Sequence, residues 1–255
     1  MMKPHWTENK EQILEQLRAP ARVLIALDFD GTLAPIVPRP EDADLPAETL
    51  LILRQLASSR GVFLAIVSGR SIRDVSSRVP VPGIVFSGNH GLETQGLGLD
   101  GQSPQAQQLR SKLNAISADL AAYFAGLEGI HIEDKQLSLS IHYRKVPDQW
   151  QASVISQIDT ALQDFPEFRT QPGHKVMEIV PALPINKATA VQRLLSRLRL
   201  PQRACFFAGD DIADENVFRA FPNAVTVSVS QKITAARWIA DSPADLAGLL
   251  AALKK

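Results

Sequence analysis

The chain has 255 residues, enough for one large domain or two smaller ones with full apolar cores. Its 27 Lys and Arg residues balance 27 Asp and Glu, so no net field draws it to nucleic acid or an anionic membrane. Hydrophobic residues make up 45% and charged residues 21%, an ordinary globular mix, and the single cysteine, Cys205, excludes an intramolecular disulfide. The N-terminal Met-Met-Lys-Pro-His-Trp-Thr-Glu lacks the apolar stretch of a signal peptide, and no segment carries the ~20 apolar residues of a membrane span. The expectation is a cytoplasmic monomer whose partner is a small molecule, not a nucleic acid or a membrane.

In chain order, residues 22–28 form an apolar run ending in a carboxylate, as suits a parallel strand covered on both faces. Residues 46–58 predict a helix with Leu50, Leu53 and Leu56 on one side. Strands are predicted over 62–67, stopping at Ser68-Gly69-Arg70, and over 83–86, stopping before Ser87-Gly88-Asn89-His90-Gly91. Residues 96–104 are rich in turn formers and predict a linker. Beyond it come a helix over 105–125, strands over 130–134 and 137–143, a helix from 148, and strands near 167–171 and 175–180. Pro181-Ala-Leu-Pro184 closes the block; helices over 186–198 and 242–253 follow, with a strand over 204–208 between them that ends at Gly209-Asp210-Asp211. Alternation of strand and helix outside the block predicts an α/β fold with a parallel sheet. Residues 98–182 are then an inserted α+β domain between two halves, 1–97 and 183–255, of one core.

Ligands of open parallel sheets sit outside the carboxyl ends of the strands. Asp28, Asp30, Ser68, Asp210 and Asp211 all fall at such ends, so the fold gathers residues that the chain separates. Acids crowded together repel unless a cation sits among them. An oxygen-only donor set without His or Cys clusters suits a hard ion, and Mg2+ suits phosphate chemistry. Gly31 lets the chain turn so that backbone N–H groups face phosphate oxygens, Thr32 and Ser68 add hydroxyls, and Lys187 adds a fixed positive charge. Asp28 is placed to attack phosphorus. Asp30 is placed to protonate the leaving alcohol and then to activate water, a role that asks for partial burial.

Asp28-Phe-Asp-Gly-Thr32 resembles the first motif of the haloacid-dehalogenase superfamily, and Ser68, Lys187 and Gly209-Asp210-Asp211 match its later motifs in order. Gly88-Asn-His-Gly91, Glu133-Asp-Lys135, His142-Tyr-Arg144, Asn186-Lys187 and Gly209-Asp-Asp-Ile-Ala-Asp-Glu215 further resemble the trehalose-6-phosphate phosphatase family. The resemblance implies a core of that superfamily's Rossmann-like type, with an inserted cap that closes over a sugar phosphate. It implies metal ligation by Asp28, Asp30, Asp210 and Asp211, and catalysis by Asp28, Asp30, Ser68 and Lys187. Substrate contacts are implied for Thr32, Arg70, Asn89, His90, Glu133, Lys135, Arg144, His174 and Glu178. Two positions depart from the family pattern. His174 stands where a lysine is usual, with Lys175 expected on the opposite strand face, and Ala213 replaces a threonine.

Blander readings stand beside these. Asp28 and Asp30 could serve a turn, Ser68 a helix cap, and Lys187 a helix surface. Asp214 and Glu215 suit a first helical turn, where acids favour the dipole. Glu133, Lys135, His142 and Arg144 alternate along strands as a solvated face would. The rival activities are hydrolysis of another sugar phosphate, such as sucrose phosphate or a glucosylglycerol phosphate, and non-catalytic sensing of one.

Overall fold

A computed structural model describes residues 3–173, 175–230 and 233–254. The chain divides into two compact units, residues 1–101 with 185–255, and residues 102–184. The first half of the larger unit runs α1 (Lys10–Arg18), β1 (Val23–Leu27), α2 (Ala47–Ser58), β2 (Val62–Val67), α3 (Ile72–Arg78), β3 (Val85–Gly88) and β4 (Glu93–Gln95), with β5 (Gly101–Gln102) at the boundary. The second unit holds α4 (Pro104–Gln108), α5 (Arg110–Tyr123), β6 (His131–Asp134), β7 (Leu139–His142), α6 (Asp148–Ala161), β8 (Phe168–Gly173) and β9 (Val176–Pro181). The chain then returns through α7 (Lys187–Leu198), β10 (Cys205–Gly209), α8 (Ile212–Ala220), β11 (Val225–Val229), β12 (Trp238–Ala240) and α9 (Pro243–Ala252).

The large sheet has the order β12-β11-β10-β1-β2-β3-β4-β5, and its strands from β12 to β3 are mutually parallel. Every residue of β1 is buried, because the sheet is covered on both faces. Val23, Ile25 and Leu27 enter one core with α1, α2 and α9, whereas Leu24 and Ala26 enter a second with α7 and α8. This alternation follows from the two-residue period of a strand, and it fixes register, since a slip by one residue would exchange the two sets.

In the smaller unit the strand order is β6-β7-β9-β8, with every neighbouring pair antiparallel. Leu113, Ile116 and Leu120 of α5 and Val154 and Ile158 of α6 pack on one face of this sheet against Leu139, Ile141, Met177 and Ile179. The helix predicted over 105–125 is two helices that meet at Leu109, a bend that keeps Leu109 against this core. The strand predicted over 83–86 is shifted to Val85–Gly88, because Pro82 and Gly83 form a turn with Gly83 at φ +82°. No helix among the described residues is long and apolar enough to cross a membrane.

Candidate active site

At the carboxyl end of β1 the ladder continues one residue further, with the Asp28 N–H donating to the Ala208 carbonyl at 3.0 Å. Phe29 is fully buried, and its carbonyl accepts the N–H groups of Leu33 and Ala34, which closes a tight turn. Gly31 sits in that turn at φ +73°, and a Cβ there would lie 2.0 Å from Oδ2 of Asp210. Only glycine meets both demands, which explains Gly31 better than the expected exposure of N–H groups to phosphate does. The Gly31 N–H itself bonds the Ala34 carbonyl at 2.8 Å.

Asp28 and Asp30 leave the chain on different sides, as two acids separated by one residue should. Asp28 is 4% exposed and meets Lys187, the first residue of α7. The Lys187 Nζ donates to Asp28 at 2.7 Å and to Asp214 at 2.8 Å. Asp214, on the inner face of α8, also accepts the N–H groups of Asp210 and Asp211 at 3.1 Å each. Thr32 Oγ1 reaches Asp28 at 3.4 Å and Asp210 at 3.5 Å. Asp28, Asp210 and Asp214 each offer an oxygen within 4.8 Å of the others.

Three buried carboxylates around one ammonium are not balanced. Burial pushes the Asp28 carboxyl up to about 7, with Lys187 pulling against it and Asp214 adding repulsion. Burial, then Asp28 and Asp214, push Asp210 up to about 9. Burial alone would lower the Lys187 value, but Asp214 and Asp28 outweigh it and hold the amine firmly protonated. An added divalent cation fits this deficit and this oxygen set. Asp28 and Asp210 would hold it, whereas both Asp214 oxygens already accept hydrogen bonds from Lys187 and the 210–211 turn.

The sign of the pH effect follows. Both carboxyls are raised from 3.8 in the folded state, so their contribution to stability is complete below that value and is gone above about 7 for Asp28 and about 9 for Asp210. In chelator the melting temperature should therefore fall as pH rises from 5.5 to 9, and Mg2+ should flatten the slope. Identical slopes with and without Mg2+ would contradict the assignment.

Two of the expected metal ligands lie outside this group. Asp211 is the N-cap of α8, its carboxylate accepting the Ile212 N–H at 2.7 Å. Asp30 has its carboxylate clasped by Arg70, Nε to Oδ2 at 2.6 Å and Nη2 to Oδ1 at 2.7 Å. The burial expected around Asp30 is also missing, since its side chain is 45% exposed. Asp214, which like Glu215 suits a first helical turn, is fully buried and bonded to Lys187.

Ser68 directly follows β2, and its Oγ accepts the Arg70 N–H at 3.1 Å. Asn89 and His90 both take positive φ, 48° and 58°, before Gly91 at 102°. This left-handed run, costly for non-glycine residues, is held against the Ser68–Arg70 turn. The Asn89 N–H bonds the Arg70 carbonyl at 2.8 Å, and the His90 N–H bonds that of Ser68 at 3.0 Å. A Cβ on Gly69 would meet the His90 ring at 2.6 Å. Glu93, which no sequence pattern marked, accepts from Asn89 Nδ2 at 2.7 Å and from the Ile72 N–H at 2.8 Å.

The smaller unit carries its own polar array. Glu133 of β6, Ser140 of β7, Glu178 of β9 and Gln171 of β8 stand in register, one from each strand. They share the sheet face opposite the one that receives Leu139, Ile141 and Met177. Lys135 Nζ and Ser140 Oγ each donate to Glu178 at 2.9 Å. His142 Nε2 lies 2.9 Å from Glu133, and the ring of His131 stacks on that of His142. Burial would raise the Glu133 value, but the bond from His142 and the charge of Lys135 outweigh it and hold it below the usual range. Arg144 follows β7 in a turn, half-buried. Lys175 is in the β8–β9 turn at φ +60°, not on a strand, and its amine meets Gln151 of α6. His174 lies outside the described residues.

A carboxylate at the end of a central parallel strand, flanked by further acids and a buried lysine, is the arrangement of the haloacid-dehalogenase superfamily. Residues 26–244 match the family model for trehalose-phosphatase, and the chain belongs to that family. It is 33% identical over 237 residues to a trehalose-phosphate phosphatase of Mycobacterium ulcerans, a match covering 89% of this chain and 60% of that protein. Among solved structures, a trehalose-6-phosphate phosphatase related protein shares 25% identity with a TM-score of 0.80, covering 91% of this chain and 96% of the other. The C-terminal domain of the C. albicans trehalose-6-phosphate phosphatase shares the fold at a TM-score of 0.83 and 22% identity, covering 99% and 98%.

Proposed function

We propose that the protein hydrolyses trehalose 6-phosphate to trehalose and phosphate through an aspartyl phosphate on Asp28. The observation that carries this reading is the Asp28 carboxylate, fixed through one oxygen by Lys187 at 2.7 Å and flanked by Asp210 at the carboxyl edge of the sheet. Its other oxygen attacks phosphorus, and the bond from phosphorus to the sugar oxygen breaks. Asp30, entering the step in its protonated form with one oxygen turned out of the Arg70 fork, delivers its proton to that oxygen. Asp30 then takes a proton from water, which attacks phosphorus, breaks its bond to the Asp28 oxygen and releases phosphate, restoring the Asp28 carboxylate. Mg2+ held by Asp28 and Asp210 would screen the phosphate charge from the nucleophile. Lys187, Ser68 and Thr32 supply fixed donors for the phosphoryl oxygens.

The Glu133, Lys135, Ser140 and Glu178 array supports a sugar as the leaving group, since paired carboxylates and an amine on a rigid sheet suit a set of hydroxyls. Phosphate release measured over trehalose 6-phosphate, sucrose phosphate, glucosylglycerol phosphate and glucose 6-phosphate tests the specificity. Comparable kcat/KM across the panel would rule out a trehalose preference.

Replacing Glu178 by Gln should raise KM for the preferred sugar phosphate ten- to hundred-fold, as expected for a charged hydrogen bond of about 1.5–3 kcal/mol. Hydrolysis of p-nitrophenyl phosphate, which lacks the sugar, should stay within about two-fold of wild type if the loss is confined to sugar binding. A parallel loss on both substrates would mean that the array serves stability and not recognition.

A further inference from the structure

We propose that Arg70 is the positioning residue for the acid–base group Asp30 and is not a ligand of the substrate; this rests on the reading of Asp30 given above. The Arg70 side chain is 9% exposed, and its guanidinium is already committed. Besides clasping both Asp30 oxygens, it donates from Nη1 to Asp74 at 2.5 Å and from Nη2 to the Pro40 carbonyl at 2.8 Å. It also lies over the Phe29 ring at 5.3 Å. Little of the fork remains for a phosphate or a hydroxyl.

What surrounds Arg70 is built to aim it. Asp74, in the first turn of α3, is itself held by Arg78 Nε at 3.0 and 3.1 Å. The Arg70 backbone is fixed at both ends, its N–H by Ser68 Oγ and its carbonyl by the Asn89 N–H. Glu93 ties Asn89 to the first residue of α3. The guanidinium therefore projects from a frame joining the ends of β2 and β3 with the start of α3. The Asp30 backbone is bridged to Ala34 in the turn beyond β1, but its side chain stands out from that turn, 45% exposed. A general acid works only within hydrogen-bond reach of the leaving oxygen, so a loose carboxylate at this position needs an external hold. A planar fork provides one, because it holds the ionised carboxylate by both oxygens and can keep hold of one of them when the other carries the proton, which an ammonium cannot do with the same fixed direction.

The role separates from phosphate binding by its dependence on the leaving group. A substrate with a poor leaving group needs proton delivery, whereas one that departs as a stable anion does not. Arg70→Lys and Arg70→Gln are assayed with Mg2+ on a series of substituted phenyl phosphates and on the alkyl ester glycerol phosphate. The expected result, read in kcat/KM, which reports only the steps up to departure of the alcohol, is a loss of about 100-fold or more for the poorest leaving groups and less than about three-fold for the best, giving a steeper dependence than wild type. Inhibition by inorganic phosphate should be unchanged. Asp30→Asn should show the same pattern, and the double variant should be no worse than either single one.

A uniform loss across the series, with weakened phosphate inhibition, would overturn the proposal and make Arg70 a phosphate ligand. A uniform loss in Asp30→Asn alone would instead remove the acid role from Asp30, and the proposal with it. Should the Arg70 variants fail to fold, Asp74→Asn frees one side of the guanidinium and leaves Arg70 in place. It should reproduce the leaving-group dependence at about ten-fold loss, and an unchanged slope would count against the proposal.

Discussion

Asp28→Asn is expected to reduce turnover by about 10⁴-fold or more, the scale found when a covalent nucleophile is removed. The amide keeps the shape of the side chain and an oxygen for Lys187, 2.7 Å away in the parent site, but it offers no anion to attack phosphorus. It also removes one of three clustered acids, so the repulsion that Asp28 adds to burial in raising Asp210 is relieved. Phosphate or vanadate should accordingly bind Asp28→Asn as well as wild type, or better, in titration calorimetry with Mg2+. Single-turnover phosphate release separates the two effects. Undiminished release by the variant would end the aspartyl-phosphate mechanism.

Lys187→Ala is expected to remove activity and stability together. The amine lies between Asp28 and Asp214, and all three side chains are nearly or wholly buried. Deleting one partner of a buried ion pair costs about 3–5 kcal/mol, because the carboxylates are left without compensation. Mg2+ should restore more stability to this variant than to wild type, since it becomes the main cation available to Asp28. It should not restore turnover, because the donor proposed for the phosphoryl oxygens is gone. Denaturant unfolding with Mg2+ and with chelator gives the comparison. A variant as stable as wild type in chelator would contradict the pairing of Lys187 with both acids.

The strand ends were legible because a strand buried on both faces stays apolar until it leaves the sheet. Runs that stop at Asp28, Ser68 and Asp210 therefore mark one edge, and the sheet order brings them together through the parallel pairs of β1 with β10 and β2. Which acids would then face each other was not legible, because that depends on dihedral angles in two turns. Asp211 adopts an extended backbone, φ −111° and ψ 170°, and caps α8, while Asp214 one turn later faces Lys187. The pairing of Arg70 with Asp30 joins residues 40 apart through a loop whose path no local pattern records. Glu93 gave no signal at all, since its work is to accept two N–H groups from other segments. In the smaller unit, alternation placed Glu133 and Glu178 on strands, but the four-residue row needed the register that only pairing supplies.

The order of strands bears on how the molecule matures during synthesis. β1 lies between β2, which follows it closely, and β10, whose residues 205–209 emerge only after the whole 102–184 unit has been made. That unit is continuous in sequence and contains every partner of its own sheet, so it can complete its pairing first. Until then the β10 side of β1 is an apolar edge without a neighbour, open to mispairing or to a chaperone. Lys187 and Asp210 arrive in the same late stretch as β10. A nascent chain halted before that stretch would carry Asp28 without Lys187 and Asp210, the two groups that surround it in the finished site.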